Sequence, residues 1–301
     1  MIQAININVR NRSMNSGVLA LIATILVWAA YFVALRSGAQ SSLTHFDMAL
    51  LRFVLPAIIL LPVLIKSRAK IYAVKKRYLL GIMMGAGLPF YFLSVIASAN
   101  VQAVVGSLLV PGVSPVFVTL IAVVCYKEML TKRRLIGLSI VLCGISILIY
   151  KSLTGLSNAS FIGISLFVVV ASCWAIYTIS IKLAGLSGLE LAAFLNASAV
   201  VLLILFCPMF AFETNLLNTD IADILPQLLI MGVFCGLVSV VTYGHAVNKL
   251  GAELSACWGA VTPVVVAILA FVVLSETLNI QTIIAMFVII AGVVLANFRK
   301  S

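Results

Sequence analysis

Apolar stretches of about 18 to 24 residues alternate with short polar segments along this chain, and each stretch is long enough to cross a hydrocarbon core of roughly 30 Å as a helix. Ten spans are predicted, at 17–37, 46–65, 78–98, 103–126, 134–150, 161–182, 189–210, 225–248, 252–274 and 280–297. The first is too long for the apolar region of a secretory signal, and Ser37 to Phe46 offers no A-x-A cleavage pattern, so it is expected to be retained. An even number of spans puts both termini on one side.

Composition sharpens this. The 301 residues are 64% hydrophobic and 9% charged, against about 25% charged in soluble domains. That excludes a soluble enzyme, a disulfide-stapled secreted domain and a disordered chain. The six cysteines fall one each in six spans, as small hydrophobes, with no CxxC or Cys/His spacing. No metal, redox centre or cofactor is implied.

Charge sets orientation, because Lys and Arg are retained on the cytoplasmic side. With the termini inside, sixteen of the nineteen basic residues are cytoplasmic, including Lys66 to Arg77 and Lys127 to Arg134. Arg36, Lys151 and the acidic loop with Glu213, Asp220 and Asp223 fall outside, and Arg52 lies within a span. Topology thus uses most of the net charge of +11. Lipid headgroups are the natural partner of the remaining basic patch, and nucleic acid is not.

The chain is also written twice. Gly17 and Trp28-Ala29-Ala30-Tyr31 through Arg36 recur 146 residues later as Gly163 and Trp174-Ala175-Ile176-Tyr177 through Lys182. At an offset of 148, Ser107, Pro115, Glu128, Leu130 and Gly144 recur as Ser255, Pro263, Glu276, Leu278 and Gly292. A GxxxG occurs in both third spans, at Gly81/Gly85 and Gly232/Gly236. The expected fold is therefore an all-α polytopic membrane protein of ten transmembrane helices in two five-helix repeats. A cytoplasmic segment 1–15 precedes repeats at 16–152 and 153–301. Five is odd, so the second repeat must run inverted, an arrangement typical of secondary transporters.

The paired patterns W-A-x-Y-x(4)-[R/K] in spans one and six and S-x(7)-P-x(12)-E in spans four and nine resemble the EamA family of the drug/metabolite transporter superfamily. The resemblance covers residues 16 to 298. It implies a ten-helix transporter of inverted repeats, most often exporting amino acids and other small metabolites, for which a single chain suffices. Import or passive facilitation by the same fold is the alternative.

Trp28 and Trp174 sit at mid-span, where an interface anchor has no use, and Tyr31 and Tyr177 follow on the same face. They read as cavity-lining or as helix packing. Ser255, Trp258 and Thr262 form a polar stripe on span nine, as Ser107, Pro111 and Ser114 do on span four; such stripes line a cavity or bond helix to helix. Pro111, Pro115 and Pro263 predict kinks or breaks in these helices. Tyr91, with Ser94 and Ser98, extends the site to span three, and Ser239 and Tyr243 extend it to span eight. His245 shares that face poorly, and reads as a neutral bonded side chain or a proton-coupling group. Arg52 reads as snorkelling to the outer interface or pairing with a backbone carbonyl, or else as the partner of a substrate carboxylate, and Leu195 stands near its place in the second repeat. Glu128 and Glu276 end their spans and read as caps or pairs, or as coupling groups.

A different class is represented by Gly185-Leu186-Ser187-Gly188, a GxSG string found in intramembrane serine proteases, with His245 as the only candidate base. It falls in a loop without a water-excluded site, which disfavours hydrolysis. Indoles, phenols and hydroxyls without a mid-depth acid predict a small, partly apolar solute, neutral or zwitterionic.

Overall fold

The computed structural model describes residues 2–127, 129–155, 158–210, 213–259 and 261–297. Among these every regular element is a helix. The first repeat comprises α1 (Ile2–Ala39), α2 (His45–Ala73), α3 (Lys76–Ala86), α4 (Leu88–Ser98), α5 (Ala103–Tyr126) and α6 (Lys132–Gly155). The second comprises α7 (Asn158–Ala184), α8 (Gly188–Phe210), α9 (Ile221–Gln227), a π-helical segment (Leu228–Ser239), α10 (Val240–Leu250), α11 (Ala252–Gly259), α12 (Thr262–Leu274) and α13 (Ile280–Asn297). Seven stretches among the described residues are long and apolar enough to cross a membrane, and α12 and the run Ile280–Ala296 are shorter apolar helices. Large apolar side chains such as Ile58, Ile65, Ile204, Phe271 and Val272 cover the outer surface, as lipid contact requires.

Three of the predicted spans are not single regular α-helices. The third breaks at Gly87, whose added Cβ would collide with the Met83 carbonyl, and Pro89 then starts α4. The π segment interrupts the matching span of the second repeat, so both third members are irregular. The ninth span divides between α11 and α12 ahead of Pro263. The fourth, in contrast, stays one helix through Pro111 and Pro115. Pro115 cannot donate to the Pro111 carbonyl, and the Ser114 hydroxyl donates there instead, at 3.3 Å.

The packing repeats as the sequence does. α6 packs on α13, α2 on α8 and α5 on α12, like on like. α1 lies on the π segment, α10 and α12, while α7 lies on α3, α4 and α5. Exchanging the repeats turns each set of contacts into the other. At the α6–α13 crossing, a Cβ on Gly137 would meet Gly292 and Ala296, and one on Gly292 would meet Gly137 and Val141. The missing side chains let the two backbones touch. Among the described residues only two non-glycines have positive φ, Lys127 at 54° and Ser275 at 53°, and they are 148 residues apart. Each ends its helix in the left-handed conformation and directs the chain into the repeated glutamate position. Glu128 itself lies outside the described residues. The two GxxxG pairs are used differently: Gly81 and Gly85 press on Ser180 and Tyr177 of α7, Gly232 and Gly236 on Leu51 and Pro56 of α2.

Candidate functional site

Where the repeats meet, α1, α2, α3, α4, α5, α7, α8, the π segment and α10 surround a cavity of about 40 Å³, room for a few water molecules by volume. Its aromatic wall comes from both repeats. The Trp28 and Trp174 rings meet edge-on, with centroids 5.1 Å apart. Tyr243 packs on both, at 4.9 and 5.5 Å, and Tyr177 on Trp174 at 4.9 Å. The Tyr243 hydroxyl is within 3.1 Å of the Thr178 hydroxyl. Close approach of α3 to α7 at Gly85, beside the Tyr177 backbone, holds this ring in place.

Opposite the rings, Arg52 turns inward. It is 8% exposed and lines the cavity. Nη1 donates to the Met231 carbonyl of the π segment at 2.9 Å, and the guanidinium lies 5.8 Å and 5.3 Å from the Tyr31 and Phe53 ring centroids. Gly232 and Gly236 bring the π segment this close to α2, because any side chain there would strike Leu51 or Pro56. The bond to Met231 is the carbonyl pairing expected of a buried arginine, and the side chain does not snorkel to the outer interface.

Of the predicted residues, Trp28, Tyr31, Arg52, Pro111, Trp174, Tyr177, Ser239 and Tyr243 line the cavity. Five do not. Tyr91 stands behind it, edge-on to Phe53 at 5.5 Å; the neighbouring Phe90 faces the cavity instead, 5.5 Å from Trp174. One residue is about 100° around a helix, so a face chosen from Tyr91 misses Phe90. Ser107 is buried within α5 and donates to its own helix at the Val104 carbonyl, 2.8 Å. Trp258 is 37% exposed, and Thr262 is buried away from the lining. Val261, in a turn ahead of α12, interrupts the continuous helical face that the stripe requires. His245 Nε2 lies 3.3 Å from the Ser16 hydroxyl, outside the lining.

Phe32, Phe90, Leu195 and Cys235 line the cavity without having been predicted there. Signals existed: Phe32 is four residues from Trp28, Cys235 four before Ser239, and Leu195 near the place of Arg52 in the second repeat.

At one end of the bundle the repeats are tied by polar bonds. Arg36 donates to the terminal carbonyls of α4, Ser98 at 2.8 Å and Ala99 at 2.9 Å, and pairs with Glu276 at 3.3 Å. Glu276 in turn accepts from the Ala103 N–H at the start of α5, at 3.2 Å. A cation thus meets a helix C-terminus and an anion a helix N-terminus, each complementing the local dipole. Asp47, the N3 residue of the Thr44 capping box, also accepts from Thr214 at 2.5 Å and Asn215 at 2.9 Å. At the other end Lys70 pairs with Glu190 at 2.6 Å. Glu190 also accepts from the Ser187 N–H at 2.7 Å, and the Ser187 hydroxyl accepts from the Glu190 N–H at 3.3 Å. The GxSG serine is therefore half of a reciprocal capping box on α8.

The sequence pattern of the EamA-like transporter family matches residues 15–150 and, a second time, 161–298. The chain belongs to the EamA-like transporter family. As a family member with multiple long apolar helices it is a multi-pass membrane protein. An uncharacterized transporter of Archaeoglobus fulgidus is 27% identical over 293 residues, covering 95% of this chain and 99% of that protein. Another, of Clostridium kluyveri, is 24% identical, covering 93% and 92%. A solved crystal structure, 17% identical, matches with a TM-score of 0.65 over 94% of this chain and 96% of its own, which shows a shared fold. The first match ends within α6 and the second takes in all of α13, the pair joined at Gly137 and Gly292.

Proposed function

We propose that the chain moves small organic solutes, amino acids or similar amphiphiles, outward across the cytoplasmic (inner) membrane by alternating access. Ten spans form two inverted five-helix repeats, both termini are cytoplasmic, and the solute binds in the central aromatic cavity. One observation carries this reading: Trp28, Tyr31, Trp174 and Tyr177, repeat counterparts of one another, converge on one cavity. A site shared by two related halves is what alternation needs, since exchanging their conformations opens the same site to the other side. The Arg36–Glu276 end is the outer one on this reading, and the Lys70–Glu190 end is cytoplasmic. The cavity is far below the several hundred Å³ of a typical small-molecule site, so the repeats separate to admit the solute.

Counterflow in proteoliposomes with a panel of amino acids, nucleosides and small amphiphilic drugs tests the proposal. Exchange of at least one apolar or amphiphilic solute is expected, driven outward by a gradient and responsive to imposed pH if protons couple. Faster exchange of phosphorylated solutes than of neutral ones would overturn it.

A further inference from the structure

We infer that Arg52 and Tyr31 form a carboxylate subsite, and that the transported solute is an amphipathic monocarboxylate whose apolar part lies against Trp28, Trp174, Tyr177 and Tyr243. The inference rests on the transport reading above and adds the solute's chemical class. Arg52 lines the cavity, is 8% exposed, and among the described residues donates one hydrogen bond and makes no ion pair. None of the fifteen residues lining the cavity is acidic. The Tyr31 hydroxyl, also on the lining, is buried near the Ser94 side chain and makes no hydrogen bond within 3.5 Å. A buried cation with one carbonyl and two ring faces as its partners, beside a buried hydroxyl with no hydrogen bond within 3.5 Å, is an arrangement of donors short of an acceptor.

A carboxylate is the group that completes it. Its two oxygens accept several hydrogen bonds, and guanidinium with carboxylate gives the strong, charge-assisted geometry. One cation matches one negative charge, which disfavours phosphates and dicarboxylates. Leu195 stands near the place of Arg52 in the second repeat and lines the same cavity. Charge therefore enters from one repeat only, and the remaining wall is aromatic and aliphatic, so the solute binds in one orientation.

The full-length protein in proteoliposomes tests this with three solutes sharing a phenyl ring: 3-phenylpropionate, its neutral isostere 3-phenylpropionamide, and L-phenylalanine. Binding is read by quenching of tryptophan fluorescence, transport by counterflow. The propionate is expected to bind about 10- to 100-fold more tightly than the amide, the range for loss of a buried charged hydrogen bond. Arg52→Gln should abolish that difference, and Tyr31→Phe should reduce it several-fold without a folding defect, since its hydroxyl makes no hydrogen bond within 3.5 Å to the protein. Comparing the propionate with phenylalanine separates simple acids from zwitterions as the source of the carboxylate. Equal binding of acid and amide, or a preference that survives Arg52→Gln, overturns the subsite while counterflow of the amide leaves the transport reading standing. Absence of counterflow for all three and for the wider panel overturns both. If Arg52→Gln does not fold, the wild-type acid-to-amide ratio and the Tyr31→Phe variant decide.

Discussion

Arg52 and Trp258 illustrate how far residue type alone specifies a role. Depth in the sequence made both candidates for the cavity, yet only Arg52 faces it. The direction of Arg52 is set by the glycine face of the π segment, outside its own helix, and that of Trp258 by the turn at Val261 ahead of α12. Two expectations follow at this scale. The Trp28→Ala, Trp174→Ala double variant should fold yet lose nearly all counterflow, because it removes the two rings around which the others pack; full activity would eliminate the aromatic site. Ser187→Ala should retain transport, and its cost should be a capping loss of about 1 kcal/mol, read as a small fall in the melting temperature in detergent. Loss of all activity in that variant would revive the hydrolase reading.

Elements were legible where periodicity and length sufficed and less so where a helix broke. The break in span nine was foreseen from Pro263, while Gly87 and the π segment were missed because a single glycine or a widened turn leaves the apolar pattern unchanged. The left-handed ends at Lys127 and Ser275 are equally invisible in residue type, since neither is a glycine. A residue with a Cβ is strained there by roughly 1–2 kcal/mol. Ser275→Gly is accordingly expected to raise thermal stability, and a fall would show that the serine side chain holds the turn. Gly292→Val should do the opposite: the new side chain meets the Gly137 and Val141 backbone, and overpacking of this kind costs about 1–3 kcal/mol. Unchanged melting would mean that α6 and α13 are not held together at this crossing.

Over the whole molecule, the bonds from Arg36 to Glu276 and from Asp47 to Thr214 and Asn215 join parts that must separate if the bundle opens at that end. Cys235 lines the cavity and is buried, so it reports access to it. Glu276→Gln leaves Arg36 without its ion pair, and an impermeant maleimide added outside should then modify Cys235 severalfold faster than in the parent protein. No change would show that this pair does not restrain opening. Orientation has its own test, in a cysteine-free background. A cysteine placed at Asn218 should be modified from outside and one placed at Ser301 spared; the reverse pattern would overturn the inverted arrangement.

By itself the sequence determined that the chain lives in a membrane, that it is built of two related halves, and which side chains fall in the middle of an apolar stretch. Hydropathy, charge and repetition are properties of position along the chain, so these needed no three-dimensional information. Tertiary structure alone decided which of those side chains converge. Phe90 rather than Tyr91, Arg52 inward, and Trp258 aside all depend on helix rotation and on breaks. Those are set where one element's glycines and prolines meet another element's backbone, contacts between residues as far apart as Arg52 and Met231 that no local pattern records.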